Sequence, residues 1–274
     1  MRYQNLLSPI MVGGQIIKNR LTYPNASPHF LQGPETYPAE GYRAFAANLA
    51  KNGAAIVNFA EWAEYPQQRH GPMDMDMTHM QAFDMTDPAV HNYVSQMCEE
   101  VHFYGSKIIL TTNLVYPDGF SLYGGRGLSK LRRYKNLGYD GVSFRADMLM
   151  NPGGKRDDQY DGGTVENRTR LFHEVCSAIR KAFGKKFIIE AVLAWEQNNG
   201  YGGNAKMGGG YCEDDALEFI RLFDDVVDIL EVREHDGCAS HPTGYNFIQG
   251  VHPAVDFCAK AKKMGFHMFM KPIG

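Results

Sequence analysis

From residue 19 onward, short apolar runs alternate with longer segments whose apolar residues recur every three to four positions. The runs predict strands over Arg20–Pro24, Ala54–Ala60, Lys107–Leu114, Gly141–Arg145, Phe187–Ala194, Val227–Arg233 and His267–Pro272. The helical spacing predicts helices over Ala39–Lys51, Pro88–Tyr104, Ser129–Asn136, Val165–Phe183, Glu213–Asp224 and His252–Met264. In the fourth helix Val165, Leu171, Phe172, Val175 and Ile179 share one face, and Thr164 is placed to cap it after Gly162 and Gly163. Several helices end at a glycine just before the next strand, as in LAKNGAAIV, FYGSKIIL and KKMGFHMFM. Glycine there supplies the left-handed turn that closes a helix.

Strands alternating with helices imply a parallel sheet, either doubly wound or closed as a TIM-type (β/α) barrel. The even rhythm, and the lack of a GxGxxG after the first strand, favour the barrel. With 274 residues, 44% of them hydrophobic, and no low-complexity linker, a single domain over 1–274 is expected. The seventh strand leads into KPIG, so the expected barrel lacks an eighth strand and its helix. In such barrels the chemistry gathers at the C-terminal ends of the strands. Those ends read PNASPHF, AEWAEYPQQRHG, TNLVYPDGF, FRADMLM, AVLAWEQ, REHDGCASHPTG and KPIG, all rich in polar and aromatic residues.

Composition removes several function classes. A formal charge of −3 with dispersed Lys and Arg gives no footprint for nucleic acid. The N-terminal stretch lacks the apolar core of a signal peptide, and no run approaches the roughly 18 apolar residues of a membrane span, so a cytoplasmic protein is expected. Cys98, Cys176, Cys212, Cys238 and Cys258 are odd in number and never form a CxxC, which indicates neither a disulfide framework nor a metal site. Met73, Met75, Met77, Met80 and Met85 either line an adaptable pocket or pack their own loop, the second being favoured. The polar stretch Lys155–Asp161 is read chiefly as ion pairs and caps anchoring a long loop, with substrate contact as the minority reading.

LLSPIMVGGQIIKNRLTYPNAS, AAIVNFAEWAEYPQQRHG, LGYDGVSFRA and KRDDQYDGGTVENRTRLFHEV together resemble, in order and spacing, the old yellow enzyme family of FMN-dependent ene-reductases. The KNR before the first strand and the run RDDQYDGGTVENRTR carry most of the likeness. REHDGCASHPTG followed by KPIG resembles a branch allied to enoate and dienoyl-CoA reductases. The resemblance implies FMN, reduced by NADH or NADPH, passing hydride to the C=C bond of an α,β-unsaturated carbonyl or acyl compound.

The same resemblance assigns residues. Pro24, Asn25 and Ala26 fall where the family's backbone meets the flavin, and Ala60 falls under the ring. Thr111 stands where the family has a flavin-binding Gln, and Val192 where it has an Arg. Lys271 and Gly274 fall at the strand-seven half of the phosphate site. Arg145 and Met148 align with the carbonyl-binding pair, with Asp147 between them, and Arg145 is the best substrate-polarising candidate. The proton-donating Tyr falls near Met150, so Tyr116, His235 or His241 would replace it by position. Thr111, Val192, Met148 and the missing strand favour an alternative: a flavin-free barrel homologue acting as a binding or assembly module. A third reading assigns proton transfer to His235 and Asp236. The open barrel edge leads to the expectation of a homo-oligomer or a partner chain, beside a small-molecule substrate.

Overall fold

The computed structural model describes residues 3–24, 35–60, 83–112, 126–146, 159–160, 163–195, 211–233 and 253–272. Its elements are α1 (Gln4–Leu7), β1 (Ile10–Val12), β2 (Gln15–Ile17), β3 (Thr22–Tyr23), α2 (Glu40–Lys51), β4 (Ile56–Ala60), α3 (Pro88–Phe103) and β5 (Lys107–Thr111). They continue with α4 (Arg126–Asn136), β6 (Gly141–Arg145), α5 (Val165–Phe183), β7 (Ile188–Ala194), α6 (Glu213–Phe223), β8 (Ile229–Arg233), α7 (Pro253–Lys263) and β9 (Phe269–Pro272). Strands β3 to β9 form one seven-stranded sheet in chain order, with a helix between each successive pair. That is the topology of a TIM-type barrel with seven of its eight strands among the described residues.

Chain contacts divide the molecule into two compact units. The first holds Met1–Leu114, Gly125–Ser143 and Lys185–Ile188; the second holds Val115–Gly124, Phe144–Gly184 and Ile189–Gly274.

In the first unit the KNR run is a clamp at the N-terminal ends of the strands. Lys18 Nζ donates to the carbonyls of Ala50 (3.2 Å) and Tyr104 (2.8 Å), which close α2 and α3, and to Ser106 Oγ (2.9 Å). A cation at two helix C-termini is favourable because unpaired carbonyls concentrate negative charge there. Asn19 Nδ2 donates to Gly53 O while its Oδ1 accepts from Leu21 N, and Arg20 Nη1 donates to Asn5 O and Ser8 O. Residues that carry the family resemblance therefore serve the scaffold. The hairpin β1–β2, which pairs Ile10 with Ile17, was not expected from the apolar runs. Gly13 and Gly14, both at positive φ, form its two-residue turn.

In the second unit Thr164 caps α5 as expected, its side chain accepting from Asn167 N. Phe172 packs against Phe144 and Phe223, each at 5.1 Å between ring centroids. Arg168, only 7% exposed, lies 3.5 Å from Asp215 and 5.2 Å from the Phe219 ring. It joins α5 to α6. Of the polar run preceding this helix, residues 155–158 and 161–162 lie outside the described residues.

Both units repeat one device. Asp140, just before β6, accepts from Ile108 N at 3.0 Å and lies 2.7 Å from His102 Nε2. Asp228, just before β8, accepts from Ile189 N at 2.9 Å and from Arg180 Nη2 at 2.6 Å. In each case a carboxylate satisfies the second amide of the preceding strand and binds a cationic or imidazole group from the helix before it.

Candidate functional site

The C-terminal strand ends of each unit hold the side chains that could meet a ligand. In the first unit, Pro24 follows β3 and is half-buried, Ala60 ends β4, and Thr111 ends β5 directly opposite Ala60 in the ladder. Among the described residues, Thr111 Oγ1 is buried with no hydrogen-bond partner. An orphaned buried hydroxyl costs about 1–3 kcal/mol, and a ligand atom accepting or donating there would remove that cost. Asn25 and Ala26 lie outside the described residues.

In the second unit, Arg145 is the half-buried last residue of β6. Val192 is wholly buried within β7, opposite Glu231 of β8. Lys271 of β9, opposite Glu231 on its other side, is buried too. Its ammonium lies 2.6 Å from Glu231 Oε2 and 3.3 Å from Glu190 Oε2. Both carboxylates are fully buried, so the lysine proposed for phosphate is engaged by two anions. Arg233, at the end of β8, completes the cluster: Nε donates to Glu231 Oε1 at 2.7 Å and Nη2 approaches the same oxygen at 2.6 Å.

Burial pushes the Glu231 carboxyl up, but Lys271 and then Arg233 more than offset it and hold the group below the usual carboxylate range. Burial by itself would lower Lys271, and Glu190 and Glu231 instead hold it above the usual lysine value. Glu231 and Lys271 therefore both stay charged. Glu190, Glu231 and Arg233 were not singled out in the sequence. The signal for the glutamates is a single carboxylate inside an otherwise apolar strand, as in IIEAVLA and ILEVR.

Tyr116, Asp147, Met148, Met150, His235, Asp236, His241 and Gly274 lie outside the described residues, as do Met73 to Met80. Among the described cysteines, Cys98, Cys176 and Cys258 are buried and Cys212 is exposed, none in a disulfide. Burial raises the Cys258 thiol to about 12. Among the described residues no His, Cys, Asp or Glu group is arranged to hold a metal, and no helix is long and apolar enough to cross a membrane.

No model of a known protein family matches the sequence. An NADPH dehydrogenase from Clostridium acetobutylicum is 26% identical over 117 residues, covering 40% of this chain and 32% of that protein. Among solved structures, 2-naphthoyl-CoA reductase in complex with 2-naphthoyl-CoA superposes with a TM-score of 0.73 at 15% identity, over 98% of this chain and 46% of that one. An old yellow enzyme homologue from Zymomonas mobilis gives 0.61 at 14% identity, over 97% of this chain and 88% of its own. The fold is that of the old yellow enzymes. The chain spans about a third of the dehydrogenase and just under half of the naphthoyl-CoA reductase.

Within this old yellow enzyme fold, the residues present fit a flavin at the end of β5. There the orphaned Thr111 hydroxyl could bond the polar edge of an isoalloxazine ring. They fit less well at β7, where Val192 offers no charge.

Proposed function

We propose that the chain is a flavin-dependent NAD(P)H oxidoreductase that reduces the C=C bond of an α,β-unsaturated carbonyl or acyl compound. What carries this reading is the coincidence, in one chain, of an old yellow enzyme fold with sequence likeness to an NADPH dehydrogenase. FMN, when bound, would supply the hydride chemistry. Thr111 would hold the flavin's polar edge, and Arg145 would donate hydrogen bonds to the substrate carbonyl, drawing electron density from the alkene. Tyr116 and His235 or His241 remain the proposed proton donors, with Asp147 proposed as a catalytic neighbour of Arg145, in a cytoplasmic protein.

The test is the visible spectrum after loading with excess FMN and desalting. Retained flavin bands that bleach with NADH or NADPH under anaerobic conditions are the expected result. Complete passage of the flavin through the column would overturn the reading. A second reading, a flavin-free barrel homologue that binds rather than catalyses, is favoured by the engagement of Lys271 with Glu190 and Glu231 and by Val192 at β7. That outcome is the one a colourless protein would support.

A further inference from the structure

We propose that the outer face of the β1–β2 hairpin, continued by the leucines of α1, is the surface through which two copies of this chain associate about a two-fold axis. Alternation along a strand sends successive side chains to opposite faces. Val12 and Ile17 point inward and are buried, whereas Met11 and Ile16, direct cross-strand partners, are 62% and 68% exposed. Two residues before β1 stands α1, in which no side chain is buried and Leu6 and Leu7 are 40% and 45% exposed. Polar links hold both pieces in place from behind. Arg20 Nη1 donates to Asn5 O and Ser8 O, Arg20 N donates to Leu6 O at 2.9 Å, and Gln15 Nε2 donates to Lys186 O. The apolar side chains are thus presented outward on an anchored backbone, which lowers the entropy lost when a partner docks.

Single exposed apolar residues are ordinary, but a group of them marks an interaction surface. Five of the nine large apolar side chains exposed among the described residues lie between Tyr3 and Ile16. The other four, Tyr37, Phe103, Val255 and Met264, are spread over three other stretches of chain. On the described surface, then, the apolar counterpart that matches this group is the same group on a second copy. Self-contact brings identical residues together, so any charge would meet its like. Residues 3–17 contain no charged side chain, and Lys18, which follows, turns its ammonium to Ala50 O, Tyr104 O and Ser106 Oγ. An isologous pair therefore buries this surface without placing like charges against each other.

The inference does not depend on flavin or on the proposed reaction. Its test is the mass of the full chain by sedimentation velocity over a range of concentrations, expected to rise from monomer to dimer. The double variants Met11→Lys/Ile16→Lys and Met11→Glu/Ile16→Glu alter exposed positions and set like charges face to face. Each alone should associate about tenfold or more weakly than wild type. An equimolar mixture of the two should recover the dimer, because Lys then faces Glu across the axis. Should a variant not fold, hydrogen exchange of the wild-type chain replaces it: the amides of Met11 and Ile16 should gain protection with concentration while that of Met270 in β9 does not. A monomer at every concentration, a dimer that both variants leave intact, or a mixture that stays monomeric would overturn the proposal. So would a monomer that floats with phosphatidylcholine vesicles, which would assign the surface to lipid.

Discussion

At the scale of single residues, two buried polar groups make opposite contributions. The Thr111 hydroxyl has no partner among the described residues, so Thr111→Val is expected to leave the flavin-free protein as stable as wild type, or up to about 1 kcal/mol more stable, while lowering FMN affinity. Urea denaturation beside flavin titration separates the two effects. Glu231 is the reverse case, buried and fully engaged. Glu231→Gln should cost about 3 kcal/mol at neutral pH, because Lys271 loses one of its counter-charges in the interior. The folded carboxyl titrates below its ordinary value of 4.5, so its stabilisation is complete above that pH and is lost as pH falls through the folded value. Lys271 titrates above 10.5, so its share is complete below that pH and disappears only as pH rises beyond the folded value. The stability gap between wild type and Glu231→Gln should therefore close as pH falls below 4.5. A gap constant down to acid unfolding would show that the pair is not the charged one described.

Secondary-structure elements depend on a few contacts that can be removed one at a time. Thr164→Ala deletes the N-cap of α5 and is expected to cost about 1 kcal/mol by urea denaturation. Gly141, the first residue of β6, has no room for a side chain: an added Cβ would lie 2.4 Å from Ile188 O. Gly141→Ala should thus destabilise by about 1–3 kcal/mol, the cost of forcing the backbone apart, and an unchanged melting curve would contradict that packing. These elements were legible in the sequence to different degrees. Gly141–Arg145 and Val165–Phe183 have the bounds their patterns predict, since an apolar run between glycine and charge, and a capped amphipathic face, are local signals. The hairpin at Ile10–Ile17 escaped because each arm is three residues long, although Gly13-Gly14 between apolar triplets was the signal for it. The charged cluster escaped for a different reason. Glu190, Glu231 and Lys271 lie 40 or more residues apart in sequence and meet only through strand order, which no local pattern encodes.

For the molecule as a whole, the decisive feature is a sheet whose strand order follows the chain. Among the described residues β3 and β9 are its outermost strands, two and four residues long. Outer strands offer unpaired backbone groups to other chains, and shortness or proline limits that offer. The amide of Phe269 points to β8, donating to Asp228 O at 2.9 Å, so by alternation the amide of Met270 points away from β8. The next outward position is Pro272, which has no N–H to give. Within β9 the outward N–H donor for a partner chain is therefore that of Met270. If such an association forms, protection of the Met270 amide against hydrogen exchange should rise with protein concentration, in step with the mass from light scattering. Fast exchange at every concentration, alongside a monomer mass, would exclude edge pairing at β9 and direct any search for partners to other surfaces.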